Sequence, residues 1–317
     1  MREIDLGGGI PSISPDWFLA HGLGNDYLVF HESHSGAEGW PGTPEAIAAV
    51  CHRWKGVGSD GIVVRLREPG GELSLNPVRS RAFNPDGGEF ERSGNGIRVL
   101  AASLAFSGEV DAEPFPLVFG TGEVVCQVLG VLPGGRYDVQ VDMGRARLDA
   151  PSVALDATAL DPHGALPLEV DGRWSVPFTH VSMGNPHCVV FPRALSFPVD
   201  LTGKLLEKLG PAITSHPAFT QGVNVQLVEI TGPAHLRIGI WERGVGRTTA
   251  SGTSACAAAV AAVVRGYVLP GEITVSMEGG DFQIGVTADL GVELRGPVQV
   301  VSTGRLAPGF VEALRAL

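Results

Sequence analysis

The chain has 317 residues, with 44 glycines, 23 prolines, 44% hydrophobic residues and 18% charged residues. That length and apolar content can bury one large or two medium cores, which excludes global disorder, and no collagen period or low-complexity tract is present. The net charge of −11 excludes a basic nucleic-acid groove as the main working surface.

Residues 1–16 are rich in glycine, proline and serine and read as an N-terminal extension. They carry neither the basic start nor the apolar core of a signal peptide, and the longest apolar run, Ala255 to Val264, falls short of a membrane span. A cytoplasmic chain with no membrane and no nucleic-acid partner is expected. Cys51, Cys126, Cys188 and Cys256 are scattered, without zinc spacing or a C-x-x-C pair, so no disulfide framework and no structural metal are expected.

Helix signals come in chain order at 44–54, opening Pro-Glu and stopping at Gly56, and at 95–106, with Ile97, Leu100, Ala101 and Leu104 on one face. Pro133-Gly134-Gly135 is the best internal boundary. Beyond it, period-two strands alternate at Tyr137, Val139 and Val141, at Leu236, Ile238 and Ile240, and at Ile273, Val275, Ile284 and Val286. A helix over 201–209 stops at Gly210, and one over 253–265 is apolar all round, so it belongs inside a sheet-rich domain.

The two halves share one feature. Ser93-Gly94-Asn95-Gly96 opens an apolar helix in the first, and Ser251-Gly252-Thr253-Ser254 opens one in the second. A charged turn precedes each: Asn84-Pro85-Asp86-Gly87-Gly88, and Trp241-Glu242-Arg243-Gly244. A helix start offers unsatisfied N–H groups and partial positive charge, which suits a carboxylate. A single Ser-Gly turn reads as a plain N-cap, whereas two in matching contexts read as a duplicated ligand site. Polar turns at Gly24-Asn25-Asp26, Gly58-Ser59-Asp60-Gly61 and Gly184-Asn185-Pro186-His187 are ligand-like or simply structural, and His187 alone reads as structural rather than as a base. Asn224, alone among apolar strand residues, needs partners if buried. Glu242-Arg243 could clasp a zwitterionic amino acid or form a salt bridge at a strand end. No phosphate-binding loop pattern is present.

Together these motifs resemble the diaminopimelate epimerase family, within the wider group of cofactor-independent amino-acid racemases. The resemblance runs from about Trp17 to the C-terminus. It rests on the segments beginning at His21, Gly56, Phe83, Ser93, Met183, Gly222 and Trp241. It implies an α/β (α+β) fold of two pseudo-symmetric domains, each a strand-rich barrel around a central helix. The expected domains are 17–134 with a returning segment 297–317, and 135–296. It also implies a substrate between the domains, no pyridoxal phosphate, no metal and no other cofactor. A small amino-acid substrate is the expected partner, and a homodimer the expected assembly. Carried over by position, Asn25, Asn84, Asn185, Asn224, Glu242 and Arg243 would grip the substrate, and Gly94, Asn95, Gly252 and Thr253 would hold the reacting carboxylate.

The family's reaction interconverts LL- and meso-diaminopimelate with two cysteines, one at each helix start. Here both catalytic positions are serine, Ser93 and Ser251. A helix-end effect of ~2 kcal/mol moves a pKa by only about 1.5 units, so two serines do not replace a thiol pair. The resemblance leaves three readings: an impaired diaminopimelate epimerase, an isomerase or lyase with another base such as Asp86, Glu89, Glu91 or His187, or an amino-acid binder without turnover.

Overall fold

In a computed structural model describing residues 12–34, 38–68, 70–89, 93–119, 122–170, 172–192 and 203–317, the chain divides into two units. The first comprises Met1–Asp142 with Gly296–Leu317, and the second Met143–Arg295.

The first unit opens with β1 (Ser12–Gly22) and β2 (Asn25–Glu32), an antiparallel hairpin. Its two-residue turn is Leu23-Gly24, with φ of 55° and 95°. Positive φ at both positions matches the right-handed strand twist, and glycine carries the second without strain. Then follow β3 (Trp40–Pro41), α1 (Pro44–Cys51), β4 (Ile62–Arg65), β5 (Val78–Phe83), α2 (Gly94–Phe106), β6 (Phe115–Phe119), β7 (Gly122–Leu132) and β8 (Arg136–Arg145). Strand β4 lies parallel to β2 and antiparallel to β5, β6 lies parallel to β5, and β7 and β8 continue antiparallel. Helix α2 runs against β1, β2, β4 and β7, and its residues Ile97 to Leu104 are buried.

The second unit holds β9 (Leu166–Glu169), β10 (Arg173–Val176), β11 (Thr179–Ser182), β12 (Pro186–Val190), α3 (Lys204–Thr214), β13 (Asn224–Gly232), β14 (His235–Glu242), β15 (Gly246–Thr248), α4 (Gly252–Val264), β16 (Gly271–Met277) and β17 (Gly280–Val286). Its main sheet repeats the pairing pattern of the first. Strand β13 is parallel to β12, β14 antiparallel to β13, β16 parallel to β14, and β17 antiparallel to β16. Helix α4 lies against β11 through β14 and against β16 and β17. Residues Ser254 to Ala262 are wholly buried, because a helix with no polar face finds no solvent-stable position. Strand β18 (Gly291–Arg305) follows β17 and then pairs with β1 in the first unit, and α5 (Pro308–Arg315) packs on α1 and β3 there. The architecture is the mixed, strand-rich α+β fold of two similarly built units.

Five details differ from the sequence expectations. Helix α1 ends at Cys51, short of the expected Trp54, because His52 is already extended. Of the expected extension over 1–16, residues 1–11 lie outside the described residues and 12–16 are part of β1, with Ile13 fully buried. Gly134 and Gly135, at positive φ, make the β7–β8 turn, and the second unit begins only at Met143. Helix α3 continues through Gly210 and Pro211 to Thr214. Gly210 is there for packing, since a Cβ would fall 2.5 Å from Trp241 Cγ. Helix α5 has no counterpart among the sequence-read helices; its signals are Pro308 at the start and the apolar set Phe310, Val311 and Leu314.

Gly87 fixes the turn that carries Asn84. Its φ is +84°, and a Cβ there would lie 2.3 Å from the Pro44 Cα. Gly87→Ala is expected to cost about 2–3 kcal/mol, from left-handed strain and from displaced backbone. Urea denaturation checks this against Gly88→Ala, whose Cβ would meet only the Asp86 side chain, at 3.1 Å.

Candidate functional site

In the first unit the two polar turns are clamped together. Arg53 Nη1 donates to Asp26 Oδ2 at 2.7 Å, and Arg53 Nη2 donates to Asp26 Oδ1 at 2.7 Å and to Asp60 Oδ1 at 2.6 Å. Burial alone would raise the Asp26 carboxyl, but Arg53 and the Asp60 backbone hold it below its ordinary value. Asn25 Nδ2 donates to Asp60 Oδ2 at 2.9 Å, and Asn25 Oδ1 accepts from Asn95 Nδ2 at 2.9 Å. Asn95 Nδ2 also donates to the Asn25 carbonyl at 2.7 Å, while its Oδ1 accepts from Arg98 Nη2 at 3.1 Å. Gly22 permits this, because a Cβ would fall 2.1 Å from Asn95 Oδ1. The side chains of Asn25 and Asn95 thus build the frame of α2's first turn. Asn84 is exposed, and its side chain makes no hydrogen bond to any described residue.

Ser93 is the N-cap of α2. Its Oγ accepts from Gly96 N at 3.0 Å and donates to the Tyr27 hydroxyl at 3.4 Å. Gly94 is buried, and a Cβ on Gly96 would press on the Phe119 ring at 3.0 Å. Tyr27 was not singled out in the sequence; its place directly after Asn25-Asp26 was the available signal.

In the second unit Ser251 is the N-cap of α4 but makes no side-chain cap bond. Its hydroxyl is instead a hydrogen-bond partner of Glu242, and Thr248 Oγ1 donates to Glu242 Oε1 at 3.2 Å. Burial raises the Glu242 carboxyl above its usual range, against these two hydrogen bonds. Glu242 and Arg243 do not pair with each other. Arg243 Nη1 donates to the Gln221 carbonyl at 2.7 Å, and no carboxylate among the described residues pairs with the guanidinium. Asn224 Oδ1 accepts from Arg243 N at 2.9 Å and its Nδ2 donates to the Pro186 carbonyl at 3.1 Å, so this buried amide ties two site turns together. Gly252 begins α4, where a Cβ would sit 3.1 Å from a Leu294 methyl. Asn185 Nδ2 donates to Thr253 Oγ1 at 3.4 Å, and His187 Nε2 meets Asn185 Oδ1 at 2.9 Å.

The alternative bases fare differently. His187 is fully buried, and burial drives it down to about 3. It stays neutral at physiological pH as a structural residue. Glu89 is held by Arg81, with Nε to Oε1 at 2.8 Å, and Asp86 Oδ1 accepts from Gly88 N at 2.9 Å within its own turn. Glu91 lies outside the described residues. All four cysteines are free and buried, and burial pushes Cys51 up to about 11 and raises Cys126 and Cys188 as well. None supplies a reactive thiolate. Among the described residues no helix is long and apolar enough to cross a membrane.

These arrangements have relatives. A family model described as diaminopimelate epimerase matches residues 17–148 and 179–301. The diaminopimelate epimerase of Pelotomaculum thermopropionicum is 37% identical over 291 residues, covering 90% of this chain and 96% of that protein. That of Synechococcus sp. (strain JA-3-3Ab) is 39% identical over 294 residues, again covering 90% and 96%. Among solved structures, a hydroxyproline epimerase from Agrobacterium vitis superimposes with a TM-score of 0.62 at 17% identity, covering 93% of this chain and 94% of that one. A phenazine biosynthesis protein of the PhzF family from Bacillus anthracis gives 0.63 at 15% identity, covering 92% and 98%. The solved structures share the fold, and the sequence relatives carry the assignment: the chain belongs to the diaminopimelate epimerase family of isomerases.

Proposed function

We propose that this chain binds diaminopimelate, and that its epimerisation of the LL and meso forms is impaired because the base pair is Ser93 and Ser251. The Arg243 guanidinium carries the reading. It stands at the end of β14 without a carboxylate among the described residues, although a half-buried acid is its chain neighbour. Such a fork suits a bidentate bond to a carboxylate. Glu242, Asn84 and Asn185 take the ammonium groups, while Asn25 and Asn224 hold the turns from which they reach. The N–H groups at Gly94, Asn95, Gly252 and Thr253 take the reacting carboxylate. The same reading makes the protein a cytoplasmic homodimer that needs neither metal nor pyridoxal phosphate.

A simple amino acid forgoes the bonds to the distal polar groups, at roughly 1.5–3 kcal/mol for each hydrogen bond to a charged group. Calorimetry with a chelator present is therefore expected to show diaminopimelate binding much more tightly than alanine, and Arg243→Ala to erase most of the difference. Equal affinities would remove diaminopimelate as the ligand. Binding only on addition of metal or cofactor would overturn the cofactor-free reading.

A further inference from the structure

A chain of side-chain hydrogen bonds leaves the first turn of α4 and returns to it. Ser254 Oγ lies 3.0 Å from Gln226 Nε2, which also lies 3.0 Å from His187 Nδ1. His187 Nε2 lies 2.9 Å from Asn185 Oδ1, and Asn185 Nδ2 lies 3.4 Å from Thr253 Oγ1. Ser254, Gln226 and His187 are fully buried. The ends of the chain, Thr253 and Ser254, are consecutive residues.

Two directions of donation are open to such a chain, since both amides can turn over and the imidazole has two neutral forms. In one, Gln226 donates from Nε2 to His187 Nδ1 and to Ser254. His187 then carries its proton on Nε2 and donates to Asn185 Oδ1, and Asn185 donates to Thr253. In the other, every bond reverses. The first leaves a single buried acceptor without a partner, Gln226 Oε1. The second would strand both N–H donors of the same buried amide. Orphaned donors are rarer than under-satisfied carbonyls, and each carries its own desolvation cost. The first direction therefore prevails, and its consequence reaches the surface of the site. With Asn185 donating to the Thr253 oxygen, the Thr253 hydroxyl proton is left to point outward as a donor to an anion.

We propose that Gln226 and Ser254 are positioning residues that set this direction, fixing His187 in its Nε2–H form, the Asn185 amide with its nitrogen toward α4, and Thr253 as a hydrogen-bond donor to the substrate carboxylate. The last part rests on the reading that this site binds an amino acid; the first two parts are properties of the ligand-free protein. The test uses the full-length chain with uniform ¹⁵N labelling, the Gln226→Met variant, which keeps volume but removes the donor, and the Ser254→Ala variant, which removes one anchor only. In the wild type the His187 ring nitrogens are expected to report the Nε2–H form from pH 5 to 8. In Gln226→Met a mixture of the two neutral forms appears, with a shift of the Asn185 side-chain amide. Diaminopimelate affinity, measured by calorimetry, falls by about 10–100-fold, the loss expected when a hydrogen bond to a charged group is removed. Should Gln226→Met not fold, Ser254→Ala carries the same test with smaller shifts. A merely structural role would lower stability without moving the ring nitrogens. An Nδ1–H form in the wild type, or unchanged ring and amide signals in every variant that folds, overturns the proposal. If the ring form shifts in Gln226→Met while the wild type binds no diaminopimelate, the positioning role stands and the assignment of the ligand falls.

Discussion

Replacing Ser93 and Ser251 together by cysteine is expected to raise α-proton exchange into diaminopimelate by about 10²–10⁴-fold over the native chain, the usual contribution of a positioned proton-transfer group. Each position begins a helix, where a thiol of pKa roughly 8.5 is drawn toward neutrality and a hydroxyl is not. The two positions respond differently. Ser251 makes no cap bond, so cysteine there gives up only the hydrogen bond to Glu242, whose carboxyl, when ionised, works against a thiolate. Ser93 accepts from Gly96 N at 3.0 Å, so cysteine there gives up a cap worth ~1 kcal/mol. The native cysteines are all buried, which makes alkylation a clean second readout: two fast-reacting thiols should appear in the variant and none in the native chain. Deuterium exchange followed by mass spectrometry measures the gain. A folded double variant that binds diaminopimelate yet exchanges no α-proton would show that more than the base pair separates this chain from an active epimerase.

Acidification should destabilise the protein well above the range in which carboxylates titrate. His187 takes up a proton near 6.5 when unfolded but only at about 3 when folded. Between those values the unfolded chain holds more protons, so stability is complete above about pH 6.5 and falls as the pH drops toward 3, at up to ~1.4 kcal/mol per unit. Burial lowers His31 too, with the Arg65 charge adding to it, and this acts in the same direction. Asp26 and Glu109, both held below their ordinary values, join only in the carboxylate range. Urea denaturation at pH 7, 6, 5 and 4.5 should give a loss of about 2–3 kcal/mol over that span, flattened in His187→Gln. An equal slope in native chain and variant would mean that His187 is not held neutral by its surroundings.

The elements legible in the sequence were those with one dominant local signal. Both buried helices are readable because a Ser-Gly start precedes an apolar face in α2 and an unbroken apolar run in α4, and the strand at Leu236, Ile238 and Ile240 because its alternation is strict. The end of α3 was not, because Gly210 looks like a stop until Trp241, distant in sequence, is seen to need the missing Cβ. The turn residues were readable as ligand-like, but their division of labour was not. Asn25 and Asn95 bond to each other and Asn224 clasps two turns, while Asn84 is left exposed, and only tertiary partners separate these cases. Gln226 gives no signal, and Tyr27 and Ser254, though they stand in the polar turns, carry no role until their partners are known.

The route of β18 has a consequence for synthesis on the ribosome. The second unit, Met143–Arg295, is one unbroken stretch and can close as soon as it has emerged. The first is made of two stretches on either side of it, 1–142 and 296–317, with β1 waiting for residues Gln299 to Arg305 as its neighbour and the α1 core waiting for Val311 and Leu314. The nascent amino-terminal half therefore stays unfinished, with an open strand edge, until residues 296–317 have emerged. The order of folding is inverted relative to the order of synthesis. Chaperone demand should be concentrated on that exposed edge, and the loss of a few terminal residues should harm the unit that was made first.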